Sequence, residues 1–187
     1  HRENTPAHHL HLPFIRQWVG PMAYTPGSMR NAQPEQFSPC IAEPMSQGTR
    51  CHNMAMYVLY ESPIQMLADS PVKYNENPAW FDFLEAVPSV WDETVPVYAK
   101  IGESLCLARR SGDRWFIGCM NGVDKPVSQE IRFDFLDEGE WEMLYYKDGI
   151  NAGKNAKDYA KGTCTVNSRS AMTLDIARNG GFVAIIN

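Results

Sequence analysis

GPMAYTPGSMRN, residues 20–31, sets a helix stop, a short extended run and a rigid polar turn side by side, and the fold reading works outward from it. Gly20 and Pro21 end the apolar segment before them, because Gly tolerates a left-handed cap and Pro cannot continue a helix. Residues 22–24 are then too short for anything but a strand. Thr25, Pro26 and Gly27 follow as a turn, with Pro fixing one dihedral and Gly free to take positive φ. A helix, a short buried strand and a polar loop at the strand's carboxyl end is the grammar of a (β/α) barrel, whose active sites sit on such loops.

Upstream, HRENTPAHHLH (1–11) is polar, and Pro6 predicts an extended entry. A short helix is expected from Leu12-Pro13-Phe14, burying Phe14, Ile15, Trp18 and Val19 as one stripe. Residues 25–48 carry four prolines (Pro26, Pro34, Pro39, Pro44) and almost no periodicity. A connection that long is usually functional, and it is the expected wall of a binding site. Thr49 caps a strongly apolar helix over about 50–60, predicted to lie against a sheet. Ser62-Pro63 reads as a cap and restart, continuing a buried helix through Ile64, Met66 and Leu67 to Asp69. Asn77-Pro78 opens a third helix over 79–86, with Trp80, Phe81, Phe83 and Leu84 as its buried face.

After Pro88 the period changes from helical to two. Residues 95–99, 104–110, 114–120, 127–135, 142–146, 163–167, 171–176 and 182–186 read as strands. Their inward faces are Leu105/Leu107, Trp115/Ile117/Cys119, Ile131/Phe133/Phe135 and Met172/Leu174/Ile176, and Ser111-Gly112-Asp113 is a hairpin turn. About eight short strands with turns between them predict an antiparallel β-sandwich. The expectation is a multi-domain α/β plus all-β chain: residues 1–90 as the last segments of a (β/α)8 barrel, and residues 91–187 as a β-sandwich domain. The first part has too few elements to close a core, so the sequence is expected to be the carboxyl-terminal piece of a longer protein or to bind a partner covering those helices. Its start at His1 rather than Met fits a processed chain or a fragment.

The 187 residues are 44% hydrophobic and 21% charged, an ordinary globular composition. A net charge of −5 with no basic stripe argues against nucleic acid. No apolar run approaches the roughly 18–20 residues that span a bilayer. The five cysteines form no Cys-x-x-Cys pair, which argues against a zinc knuckle or redox motif, and their odd number leaves at least one thiol free. Cys106 and Cys119 fall on neighbouring expected strands and could oppose one another; a buried free thiol is the commoner state.

Several groups invite a chemical reading. His8, His9 and His11 form a cluster, but metal ligation needs further groups and none is signposted, so a solvated entry segment is the simpler reading. Asp92 and Glu93 are neighbours that point opposite ways in an extended chain, so they read as linker polar groups and not as an acid–base pair. Asp148, Asn151, Asn155 and Asp158 miss the calcium-loop spacing and read as Asx-turns ordering a loop. Tyr24, Thr25, Met29, Arg30 and Asn31 fit the rim of a sugar pocket, an aromatic for stacking with hydroxyl, amide and guanidinium donors for substrate hydroxyls. The same residues read equally as a core Tyr24 and an Arg30 paired with a backbone carbonyl. No nucleophile elbow, phosphate-binding glycine loop or His–Cys pairing is present, which argues against hydrolase triads and nucleotide enzymes.

A resemblance runs through most of the chain. LPFIRQWVGPMAYTPGSMRN (12–31), GTRCHNMAMYVLYESPIQMLADSP (48–71), FLEAVPSVWDET (83–94), KIGE (100–103) and YKDGINAGKNAKDY (146–159), long and in order, resemble the carboxyl-terminal portion of glycoside hydrolase family 97. The resemblance implies an amino-terminal β-supersandwich, a central (β/α)8 barrel and a final β-sandwich. It also implies an exo-acting α-glucosidase or α-galactosidase with a carboxylate pair and a calcium cofactor, acting on an oligosaccharide substrate. One acid protonates the leaving oxygen while another carboxylate activates water or attacks the anomeric carbon. Those carboxylates and the calcium ligands are expected upstream of His1, so no catalytic or metal-binding residue is assigned in this chain. Ala23 stands where the family pattern has Asp, which removes a carboxylate from a barrel-strand end. Expected partners are the remainder of the barrel and, through the sandwich, a second copy in a homo-oligomer; the resemblance implies a periplasmic or secreted bacterial location. The alternative is a non-catalytic carbohydrate-binding or oligomerisation module, for which Trp115, Trp141, Tyr145 and Tyr146 would form an exposed aromatic row.

Overall fold

The computed structural model describes residues 2–187. Its central helix, α2 (Arg50–Leu59), begins at the expected cap: the Thr49 side chain accepts the N–H of His52 at 3.1 Å. All ten residues of α2 are buried. What covers them is the large antiparallel sheet built by the second half of the chain. Its order is β3 (Glu93–Lys100), β4 (Ser104–Ser111), β5 (Arg114–Asn121), β10 (Gly181–Ile186), β7 (Trp141–Asp148) and β8 (Tyr159–Val166). The helix lies on β5 and β10 at two glycines: a Cβ at Gly118 would stand 2.7 Å from Val58 Cβ, and one at Gly181 2.6 Å from His52 Cα. Removing those side chains lets the backbones approach closely enough to bury the helix.

The other face of the sheet is covered by β6 (Val127–Arg132) paired with β9 (Ala171–Ile176). Two cores result, one on each face. Met54, Val58, Phe116, Met120, Val183 and Ile185 pack between helix and sheet. Trp115, Ile117, Cys119, Phe133, Leu174 and Phe182 pack between the two sheets, together with Ala184 and Ile186. Period-two alternation sends Phe116 one way and Ile117 the other, which is why β5 is buried on both faces. The expected inward sets on β5 and β9 and after β6 fall in the inter-sheet core, whereas Leu105 and Leu107 point to the helix side. The eight expected strands all form, and the Ser111–Asp113 hairpin joins β4 to β5 with Gly112 at φ 58°. Cys106 and Cys119, directly opposite in the β4–β5 register, form a disulfide instead of two free thiols; Cys40, Cys51 and Cys164 are free.

The first third of the chain departs from expectation in three places. Pro6 is not an extended entry but the first residue of α1 (Pro6–Phe14), capped by Thr5, and Pro13 lies inside that helix. The stripe beyond it is a short 3-10 turn whose Ile15, Trp18 and Val19 are 69–83% exposed, so only Phe14 of that stripe packs on the core. Residues 64–69 are extended, not helical: Met22 N–H donates to Glu61 O, Met66 N–H to Tyr24 O and Ala68 N–H to Pro26 O at 2.9–3.2 Å. Runs 22–26 and 61–68 therefore lie side by side and parallel, bridged at Tyr24 and Gln65, with α2 as the crossover between them. The chain then continues through α3 (Pro71–Asn75), a 3-10 turn and α4 (Phe81–Ala86). Trp80 and Phe83 are buried in that last segment and Phe81 is not; Trp80 stacks on Tyr146 of β7 at 4.3 Å.

Candidate functional site

Both parallel runs end on the same side of the molecule, at Gly27 and at Asp69. Gly27 has φ +84°, and a Cβ there would stand 2.6 Å from Tyr57 Oη, so only glycine serves at this exit. The two exits are then tied together. Asp69 Oδ2 accepts the Met29 N–H at 3.0 Å, and Tyr74 Oη donates to Gly27 O at 3.1 Å. Arg50, buried at the start of α2, donates to Met29 O (2.6 Å), Asn31 Oδ1 (3.1 Å) and Asn77 Oδ1 (2.7 Å). Burial pulls its guanidinium below the ordinary arginine range.

Around this knot lies an open cleft of about 480 Å³, whose lining includes Met29, Arg30, Asn31, Glu43, Lys73 and Asn77. Arg30 pairs with Glu43, and Lys73 with Glu76 at 2.7 Å. The hydrogen bond from Arg30 holds the Glu43 carboxyl below its ordinary range, so at neutral pH it is an acceptor and not a proton donor. Short β1 (Asn31–Ala32) and β2 (Ser46–Gln47) pair in parallel and close the base of the long loop between them. The arrangement offers a fork of cations, amides and carboxylates suited to a hydroxyl-rich ligand.

Of the five residues singled out in the sequence, Met29, Arg30 and Asn31 meet at this cleft. Tyr24 and Thr25 do not line it: Tyr24 is half-buried with its ring edge-on to Tyr60 at 4.8 Å, and Thr25 is exposed on the parallel run beside Ala23. Met29 contributes its backbone, its side chain being buried. Arg50 escaped the sequence reading. The signal was there, since a cation in the first turn of a helix opposes the helix dipole and needs acceptors of its own.

The other candidates resolve into structure. His9 is buried on α1, its Nδ1 3.0 Å from Nε2 of His52, while His8 and His11 are exposed. His52 Nδ1 lies 3.2 Å from Gly180 O, so the ring donates there and accepts from His9. Asp92 accepts the Gly112 N–H at 2.7 Å and Glu93 pairs with Arg110 at 3.2 Å, both bracing the β4–β5 hairpin. Of the expected Asx-turns only Asn155 makes one, its Oδ1 accepting the Lys157 N–H; Asp158 instead accepts the Asn151 N–H from across the loop, and Asp148 is buried and accepts the distant Ala177 and Gly181 N–H groups. Trp115 and Tyr146 are buried and Trp141 and Tyr145 half-buried, so these four do not form an exposed aromatic row. Among the described residues no three His, Cys, Asp or Glu side chains converge as metal ligands.

Residues 90–187 match the family model described as glycosyl-hydrolase 97 C-terminal, oligomerisation. The chain belongs to glycoside hydrolase family 97. Similarity to family members extends beyond the matched region: the chain is 40% identical over 173 residues, 91% of its length, to the retaining alpha-galactosidase of Bacteroides thetaiotaomicron. It is 33% identical over 185 residues to a probable retaining alpha-galactosidase of Streptomyces bingchenggensis. A family 97 enzyme from Pseudoalteromonas sp. strain K8, solved in complex with acarbose, superposes over 98% of the chain with a TM-score of 0.87 at 31% identity. The chain spans 26% of the length of each of these curated relatives and 29% of that solved chain.

Proposed function

We propose that the chain is the carboxyl-terminal part of a retaining, exo-acting α-galactosidase, with residues 1–90 completing a (β/α)8 catalytic barrel and residues 91–187 forming its β-sandwich. The observation that carries this reading is the parallel pair 22–26 and 61–68 joined through α2, whose carboxyl ends open onto the Met29–Asn31 cleft. Active sites of (β/α) barrels lie at that end of the strands. The names of the two curated relatives support galactose over glucose and retention over inversion. In this reading Arg30 offers its guanidinium to substrate hydroxyls from the cleft, Asn31, its amide engaged by Ser28 O and Arg50, shapes the rim from behind, and Tyr24 and Thr25 lie on the run that leads to it.

Acid and nucleophile come from barrel segments outside these residues, as does the calcium site, so the isolated chain does not turn over substrate. The sandwich joins copies of the enzyme, a role supported by the family model's description. The whole enzyme works in the periplasm or outside the cell. The test is to follow p-nitrophenyl α-galactoside and α-glucoside with the full-length protein, with and without a calcium chelator, and to identify the released anomer by NMR. Release of α-galactose first, slowed by chelation, is expected. Release of the β-anomer, or a preference for the glucoside, overturns the assignment.

A further inference from the structure

The cleft is built mostly on the first half of the chain, with Lys157 from the second on its lining, and the second half also holds the residues that fix its shape. Arg50 is gripped from the sandwich side as well as the cleft side. Its backbone N–H donates to Ala156 O at 2.8 Å, and its guanidinium lies 5.9 Å from the centre of the Tyr159 ring at the start of β8. One residue earlier, Thr49 N–H donates to Asn179 O at 2.9 Å. A second tie leaves the rim just after Asn31. Gln33, fully buried, donates to Ala152 O (3.0 Å) and Arg178 O (3.2 Å) and accepts from Asn179 Nδ2 (3.1 Å).

We infer that Arg50 is a positioning residue through which the β-sandwich holds the substrate-binding rim in its binding shape. The inference rests on the reading of the Met29–Asn31 cleft as that rim. Three acceptors on two separate segments, Met29 O and Asn31 Oδ1 on one and Asn77 Oδ1 on the other, converge on one guanidinium. The three bonds leave from Nε, Nη1 and Nη2, which a planar fork spreads apart, whereas an ammonium offers its donors from a single nitrogen. Without the fork the loop samples other shapes, and substrate binding must then order it, a cost that falls on KM and leaves the chemical step alone. The sandwich thereby acts on substrate affinity in addition to any contact it makes between copies.

The test has two arms. In the full-length protein, hydrogen exchange is compared for wild type, Arg50→Lys and Asn179→Gly. Asn179 has φ 53°, so glycine keeps its backbone and removes only the side-chain ties to Gln33 and Asp124. Faster exchange in peptides covering 28–33, with β4 and β5 unchanged, is expected in both variants. In the full-length enzyme, Arg50→Lys is expected to raise KM for the α-galactoside about tenfold with kcat within about twofold. Asn179→Gly shows a smaller rise, and millimolar guanidinium lowers the KM of Arg50→Ala. Unchanged exchange at 28–33 in Asn179→Gly, or loss of kcat with no change in KM and no guanidinium rescue, overturns the inference. A wild-type enzyme that hydrolyses no α-glycoside instead sinks the proposed function, and the exchange arm still decides the coupling.

Discussion

Asp148 and His52 hold the same turn, at Gly180–Gly181, and titrate in opposite senses. Asp148 Oδ2 accepts the N–H groups of Ala177 (3.0 Å) and Gly181 (2.9 Å), and burial, only partly offset by hydrogen bonds from Thr49 and those amides, raises its pKa from 3.8 to about 7. Its contribution to stability is therefore fully present below pH 3.8 and lost as the pH rises through 7, on the order of 4 kcal/mol. His52 is pushed by burial from 6.5 down to about 4. Between those values the unfolded chain takes up a proton that the folded chain refuses, so about 3 kcal/mol is present above pH 6.5 and lost on acidification. His9, lowered by burial and by His52, acts in the same sense as His52. The opposing slopes cancel in large part in the wild type. Asp148→Asn keeps an acceptor for both amides and removes one slope, so its stability in urea is expected to climb by about 3 kcal/mol from pH 4 to 6.5. A flat profile for that variant would show that His52 does not remain neutral in the folded state.

At the scale of elements, the decisive contact is α2 against β5. Gly118→Ala sets a methyl 2.7 Å from Val58 Cβ and 3.1 Å from Ala55 O, and the backbone atom cannot move aside without shifting the helix. A loss of about 1–3 kcal/mol is expected, read from urea midpoints. Pairing it with Val58→Gly, which removes the Cβ that the new methyl meets, should give a coupling energy of the sign that relieves the clash; strict additivity would mean that helix and strand are further apart than described. These elements were legible because their signals are local. Thr49 before an apolar run marks α2, and alternation marks the strands of the second half except β10, which is marked by a short continuous apolar run. Residues 61–68 misled because Ser-Pro followed by apolar residues is also a helix signature, and a parallel partner on the far side of α2, at Tyr24, overrides it. Pro6 misled in the other direction, since Pro suits an N1 position as well as an extended entry. Arg50 and the His52–Asp148 junction escaped notice for a different reason: their partners lie elsewhere in the chain, at 29, 31, 77 and 177–181, and only the packed fold brings them within reach.

For the whole molecule, the sequence divides near Trp91 but the packing does not. One core contains Met54 and Val58 from before that point and Phe116, Met120, Val183 and Ile185 from after it. Residues 90–187 expressed alone would expose that side of the sheet, several large apolar residues together. They are expected to bind ANS and melt well below the 187-residue chain, and equal melting temperatures would show the sandwich to be self-sufficient. The shared core is also why the rim can be held from the sandwich: helix α2 touches both. Under the proposed function these residues complete and shape a glycosidase active site whose acid and nucleophile lie on other segments. That claim is tested most directly by assaying p-nitrophenyl α-galactoside hydrolysis by the full-length protein and by residues 1–187 side by side, at equal concentration and with calcium present. Turnover by the full-length protein alone is the predicted result. Turnover by the 187-residue chain would contradict the account and place catalytic carboxylates among its own residues.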